Sequence, residues 1–213
     1  MEFVSEYLKN EQFDHVVCVD SGLDSAAKLG VRVDVILGDF DSVSSEVLER
    51  YKEKQEEKDG AVFVSYPAAK DYTDTSMAVE WVLSKKPPEI VILGATGGRL
   101  DHLLSNINIL VEPLKKGVPA YLADECNRLY LIDGAHRFKR EDAFGKYISF
   151  LPLTTSVKGV TLRGFEYPLD NETLNIGMSR AVSNEFADGQ DMAEIVFDDG
   201  ILIVVESRDR WNA

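Results

Sequence analysis

Gly38-Asp39-Phe40-Asp41-Ser42 follows directly on the run Val33 to Leu37 and places two carboxylates two residues apart. With 33–37 as a buried parallel strand, the pair falls at its carboxyl end, the edge where open α/β sheets bind ligands. Three more stretches repeat the grammar. Asp20-Ser21-Gly22 follows Val16 to Val19, Lys70-Asp71-Tyr72-Thr73-Asp74 follows Val62 to Ser65, and Gly97-Gly98-Arg99-Leu100-Asp101-His102 follows Ile90 to Leu93. Four strand-like runs ending in carboxylates predict one rim that holds a divalent cation.

The chain has 213 residues, 45% hydrophobic and 28% charged, within the range of ordinary soluble proteins. Its formal net charge of -14 disfavours sequence-independent binding to nucleic acid or to an anionic membrane. An anionic ligand such as a nucleotide would need metal ions to neutralise part of the repulsion, whereas a cationic small molecule would be attracted. The two cysteines, Cys18 and Cys126, read as reduced thiols of a cytoplasmic protein. The first residues lack a basic and then apolar leader pattern, and no run approaches membrane-spanning length.

In chain order, apolar spacing predicts helices over 3–11, 24–29 with Gly30 as stop, from Ser44 or Ser45 through Tyr51, and from Thr73 or Thr75 to Ser84. Another helix is expected over 103–116, closed by Gly117, with a fifth short strand at 120–123. The charged run 52–59 reads as a solvated helix end. Alternating strands and helices argue for a doubly wound, mainly parallel sheet. Beyond Asn127 the pattern turns to short strands and turns. Asp133-Gly134 and Asp198-Asp199-Gly200 carry hairpin signals, the latter joining 193–197 to 201–205. The predicted fold is therefore an α/β N-terminal domain with a mainly parallel, Rossmann-like sheet over 1–125, and an all-β sandwich C-terminal domain over 126–213.

Mg²⁺ takes oxygen ligands in octahedral geometry and commonly keeps water and substrate phosphate beside one or two carboxylates. Asp39 and Asp41 can converge on an ion from a turn, and Asp20, Asp74 and Asp101 from neighbouring loops can complete the shell. An isolated Asp in such a place is an ordinary cap or turn residue, but several ending successive strands are not. Arg99 follows two glycines that admit close backbone approach, and its planar fork suits phosphate oxygens. His102 reads as a base or as a hydrogen-bonded helix-start residue, and Asn106 as cleft lining or an exposed helix residue. Walker-type, kinase and paired-His metal signatures are absent from the sequence.

Together with Val182-Ser183-Asn184-Glu185, these motifs resemble, in order, the motif set of the thiamine pyrophosphokinase family. The resemblance implies an α/β domain joined to a β-sandwich domain in a homodimer whose active sites are shared between subunits. It implies transfer of pyrophosphate from ATP to thiamine with Mg²⁺, giving thiamine diphosphate and AMP. Carried over by position, Asp20, Asp39, Asp41 and Asp74 belong to the metal and phosphate site. Ser42, Lys70, Thr73, Arg99, Asp101, His102 and Asn106 lie on the ATP side; Ser183 and Asn184 lie on the thiamine side, with Trp211 as a cover for that pocket or as a packing residue. Asp39, Asp41, Asp74, Arg99 and Asp101 form the catalytic set, with Asp39 or Asp101 as acceptor of the hydroxyl proton. Family members usually begin with an extra strand and a glycine-containing loop, whereas this chain starts at the following helix. Two rival readings are another Mg²⁺-dependent nucleotide pyrophosphohydrolase or pyrophosphokinase, and a non-catalytic thiamine or nucleotide sensor.

Overall fold

The computed structural model describes residues 2–55, 60–65 and 72–210. The chain divides into two compact units, 1–87 and 88–213. No helix among the described residues is long and apolar enough to cross a membrane.

The first unit runs α1 (Glu2–Asn10), β1 (Val17–Val19), α2 (Gly22–Leu29), β2 (Val35–Gly38), α3 (Ser45–Glu53), β3 (Val62–Ser65) and α4 (Asp74–Ser84). Its three strands are parallel in the order β1-β2-β3, and all four residues of the central β2 are buried. Strand alternation sends Ile36 to one face, where it packs with Leu23, Ala26, Val43 and Ala61. Leu37 goes to the other face, against Met77 and Ala78 of α4. With an apolar layer on each face, the strand reads as a continuous hydrophobic run.

The second unit begins with β4 (Ile90–Leu93), α5 (Leu100–Ile109), α6 (Val111–Lys115) and β5 (Ala120–Ala123). It continues as β6 (Asn127–Ile132), β7 (His136–Lys139), β8 (Tyr147–Pro152), β9 (Ser156–Arg163), β10 (Leu169–Asn175), β11 (Met192–Val196) and β12 (Leu202–Ser207). One sheet has the order β4-β5-β6-β12-β8, the other β10-β9-β11-β7. Side chains from both sheets, among them Ile148, Phe150, Leu162, Ile195 and Val204, share one apolar core with Phe165 of the β9–β10 connection.

Three expectations change. The parallel grammar does not run as a single sheet through 120–123: β4 and β5 pair in parallel with each other, and β5 takes β6 on its other side in antiparallel register. Asp124 causes the reversal, because its Oδ1 accepts the N–H groups of Cys126 and Asn127 at 2.8 Å each.

The expected hairpins are both crossings between sheets. β6 pairs with β5 and β12, whereas β7 pairs with β11. β11 lies between β7 and β9, and β12 between β6 and β8. At the second crossing Asp198 N donates to Lys158 O and Lys158 N to Asp199 O, while Ile201 N turns to Thr154 Oγ1. Gly200, at φ +107, sits where a Cβ would lie 2.7 Å from Ser156 O. The turn is thus fastened to β9 and to the connection between β8 and β9, and cannot close a two-residue ribbon.

The helix expected over 103–116 is two helices meeting at Leu110. Pro113 has no N–H to return to the preceding turn, which ends the first ladder there.

Candidate functional site

The carboxylate pair sits on a tightly specified turn after β2. Gly38 has φ +143 and Phe40 φ +65, a left-handed conformation that a bulky residue adopts only when packing compels it. Packing does so here: the Phe40 ring meets Phe63 edge-on, with centroids 5.7 Å apart, and joins the core beneath α2 and α3. Val43 is buried as well, so the turn anchors by Phe40 and Val43 and leaves Asp41 and Ser42 exposed and Asp39 half-exposed. Asp41 N donates to Asp39 Oδ1 at 3.1 Å. The Asp39 charge and hydrogen bond raise the Asp41 carboxyl above its ordinary value, and the Asp74 charge adds to this. Asp39 and Asp74 therefore both lie within electrostatic reach of Asp41. Asp20, itself at φ +45, lays its carboxylate over Gly38: a Cβ there would fall 2.1 Å from Asp20 Oδ1.

Thr73 caps α4, its Oγ1 accepting Ser76 N at 3.2 Å, and Asp74 occupies the first turn, where a helix N-terminus favours an anion. Lys70 and Trp211 lie outside the described residues. Among the described residues no group of three or more His, Cys, Asp or Glu side chains is arranged to hold a metal ion. Asp20 lies over the start of the turn and Asp74 opens α4 beyond it. The turn itself carries two carboxylates, Asp41 exposed and Asp39 half-exposed, and one or two carboxylates are the complement Mg²⁺ uses when water and phosphate fill the remaining positions.

In the second unit, Gly94 (φ +72) and Gly98 (φ +76) shape the loop between β4 and α5. Asn106, buried on α5, donates Nδ2 to Ala95 O at 3.0 Å and so ties the loop to the helix it precedes. Its side chain is committed to loop geometry. Asp101 Oδ1 accepts Arg99 Nε at 3.1 Å and His102 N at 3.0 Å, and Oδ2 accepts Arg99 Nη2 at 2.5 Å. The Arg99 hydrogen bond is the main reason that the Asp101 carboxyl falls to about 2. Both side chains are largely exposed, which leaves guanidinium N–H groups facing solvent. His102 is exposed in the first turn of α5.

Ser183, at φ +56, donates its backbone N–H to Ser149 Oγ, a buried hydroxyl of β8, at 2.9 Å. Asn184 is 1% exposed. Its Oδ1 accepts Tyr167 N and Glu185 N at 3.0 Å each, and its Nδ2 donates to Tyr167 O at 2.9 Å. The amide is occupied by backbone groups and pins the turn that displays Ser183. Sequence reasoning missed two supporting residues, Ser149 and Asp24. Asp24 binds Ser44 through both carboxylate oxygens. Neither carries a local signal, since each acts on a partner distant in the sequence.

With this geometry in hand, two family models match the chain. The one described as thiamin pyrophosphokinase, catalytic domain, covers residues 5–122, and the one described as thiamin pyrophosphokinase, vitamin B1 binding domain, covers residues 135–202. Thiamine pyrophosphokinase of Bacillus subtilis (strain 168) is 34% identical over 191 residues, 90% of this chain and 86% of that protein. The crystal structure of thiamine pyrophosphokinase from Bacillus subtilis matches with a TM-score of 0.83 at 30% identity, over 95% of this chain and 92% of that one. That of thiamin pyrophosphokinase from Geobacillus thermodenitrificans matches at 0.82 and 31%, over 98% and 94%.

Proposed function

The chain belongs to the thiamin pyrophosphokinase family, and from that premise we propose that it transfers the pyrophosphoryl group of ATP to thiamine, giving thiamine diphosphate and AMP. The observation that carries this reading is the carboxylate pair Asp39 and Asp41 on a core-anchored turn, within the stretch matched to the catalytic domain.

In the reaction the hydroxyethyl oxygen of thiamine bonds to the β-phosphorus, the bond from that phosphorus to the α–β bridging oxygen breaks, and AMP departs with the electron pair. The hydroxyl proton is released. Such transfers depend on positioning and on stabilising charge at the moving group. Asp39 and Asp41, supported by Asp74, are the residues that would hold Mg²⁺. When bound, the ion would neutralise phosphate charge that a chain of net charge -14 otherwise repels. Asp20 holds the turn's first residue in place, and Ser42 and Thr73 offer hydroxyls to phosphate. Arg99 is proposed to meet phosphate oxygens with its solvent-facing N–H groups, joined by Lys70 and His102. With its carboxyl held near 2, Asp101 is a poor base, and its part is to orient Arg99. Asn106 shapes the Gly97-Gly98 loop.

On the thiamine side, Ser183 is the proposed contact and Asn184 the residue that positions it, with Trp211 as a cover. The finer architecture belongs to this proposal too: a Rossmann-like catalytic part over 1–125, a sandwich over 126–213 that binds thiamine, and a cytoplasmic homodimer with shared active sites.

The test is chemical. Purified chain, ATP and Mg²⁺ are incubated with thiamine or with other primary alcohols, and AMP and the diphosphate ester are measured. Equal amounts of AMP and thiamine diphosphate, formed only with thiamine, support the assignment. AMP with inorganic pyrophosphate, independent of thiamine, would point to a hydrolase.

A further inference from the structure

The 38–44 loop is gripped at both ends by one corner of the fold. At its start, Asp20 N donates to Leu37 O at 3.3 Å, and the Asp20 carboxylate covers Gly38. At its end, Ser44 N donates to Asp24 Oδ2 at 3.1 Å, and Ser44 Oγ donates to Asp24 Oδ1 at 2.5 Å. Asp20 and Asp24 flank the start of α2, whose Leu23 is 0% exposed and whose Ala26 is also buried, so the corner is a rigid base. Leu23 N donates to Asp20 O at 3.0 Å and Asp24 N to Ser21 O at 3.2 Å, which fixes the two acidic residues relative to each other.

Ser44 also departs from what its position favours. It is the N-cap of α3, with extended backbone at φ -63 and ψ 134, yet its side chain makes no bond to the helix. An N-cap serine ordinarily accepts a bond from an N–H of the first helical turn. Here the hydroxyl is turned towards Asp24 instead, so a local capping bond is exchanged for a tie between residues 20 apart in the sequence.

We propose that Asp24 is a positioning residue for the carboxylate turn: its two-point hold on Ser44 fixes the trailing end of the loop and thereby sets how Asp39 and Asp41 present themselves to Mg²⁺ and phosphate. This rests on the assignment of Asp39 and Asp41 to the metal and nucleotide. Phe40 and Val43 hold the middle of the loop to the core, which leaves its trailing end to be held separately. The Asp24 tie supplies that hold through two hydrogen bonds to Ser44.

The chemistry of the tie supplies a discriminating variant. Asn at position 24 can accept Ser44 N with its oxygen and donate its amide to Ser44 Oγ, since a hydroxyl is both donor and acceptor. Asp24→Asn therefore keeps the hold and removes the charge, whereas Asp24→Ala removes both. Steady-state rates are measured against Mg²⁺ and thiamine for Asp24→Asn, Asp24→Ala, Ser44→Ala and the double variant Asp24→Ala with Ser44→Ala, with circular dichroism melts to follow folding.

Asp24→Ala is expected to raise the Mg²⁺ concentration for half-maximal rate roughly three- to ten-fold while leaving the KM for thiamine unchanged. Asp24→Asn should stay within about two-fold of the parent, and adding Ser44→Ala to Asp24→Ala should do nothing more. If Asp24→Ala does not fold, Ser44→Ala gives the answer alone, with a smaller shift in the same direction. A parent-like Mg²⁺ response in Asp24→Ala and Ser44→Ala would overturn the proposal, as would an Asp24→Asn as impaired as Asp24→Ala. Asp39→Asn, run alongside, separates the two levels. Normal turnover there would overturn the assignment of the turn itself, whereas an inactive Asp39→Asn beside a parent-like Asp24→Ala would overturn the clamp alone.

Discussion

Glu206 and Arg128 face each other across β12 and β6, with Arg128 Nη2 2.8 Å from Glu206 Oε2 and 3.0 Å from Oε1. Glu206 is 2% exposed. Its remaining acceptor sites take Tyr130 Oη at 2.9 Å and Phe144 N at 2.9 Å, and Arg128 also donates to Asp142 O at 2.9 Å. The network fastens the stretch before β8 to the middle of the β6-β12-β8 sheet. Breaking a buried pair from one side strands the other charge and its hydrogen-bond partners. Glu206→Ala should therefore lower unfolding free energy by about 3–5 kcal/mol, measured by urea denaturation. A loss near zero would mean that the carboxylate is replaced by water without penalty.

Gly38 tolerates no side chain, for two separate reasons. Its φ of +143 excludes ordinary L-residues, and its hydrogen points at the Asp20 carboxylate, where a Cβ would fall 2.1 Å from Oδ1. Gly38→Ala must move Asp20 or the turn, at about 1–3 kcal/mol. Turnover is expected to fall by roughly ten-fold or more, because the displacement is passed directly to Asp39. Paired melts and rate measurements check this, and full activity in Gly38→Ala would show that the close approach is dispensable.

Burial pushes the Cys18 thiol from 9.0 up to about 12. Between those values the unfolded chain gives up the proton while the folded chain keeps it, so the thiol's contribution is intact below pH 9 and is lost as pH rises towards 12. The difference in unfolding free energy between the parent and Cys18→Ala should shrink across that window by up to about 1.4 kcal/mol per pH unit. Denaturation of both proteins at neutral and alkaline pH measures it. A constant difference would mean that the buried thiol ionises no later than an exposed one.

The strands of the first unit were legible because each couples an apolar run to a turn signal, and the Asp39 and Asp41 pair stood out through its place after β2. The β-rich half was legible as strands but not as pairings. Asp133-Gly134 and Asp198-Asp199-Gly200 have hairpin composition, yet composition reports only that the chain bends. Whether it returns beside itself or steps to another sheet is decided by distant partners, such as Lys158 and Thr154 for the second turn. At the site, Asn184 stands out by its motif, while the bonds of its amide to Tyr167 and Glu185 are not visible in the sequence, and Asp24 carries no signal because its partner Ser44 is 20 residues away.

The carboxylates of the Gly38 to Ser42 turn are proposed to make the transfer of pyrophosphate to thiamine possible. The most direct measurement compares thiamine diphosphate formation from ATP by the parent, Asp39→Asn and Asp41→Asn, each shown by circular dichroism to be folded, across a series of Mg²⁺ concentrations. The parent should depend on Mg²⁺ and either variant should lose roughly a hundred-fold or more, with melting behaviour little changed. Near-parental thiamine diphosphate and AMP production by both folded variants would contradict it.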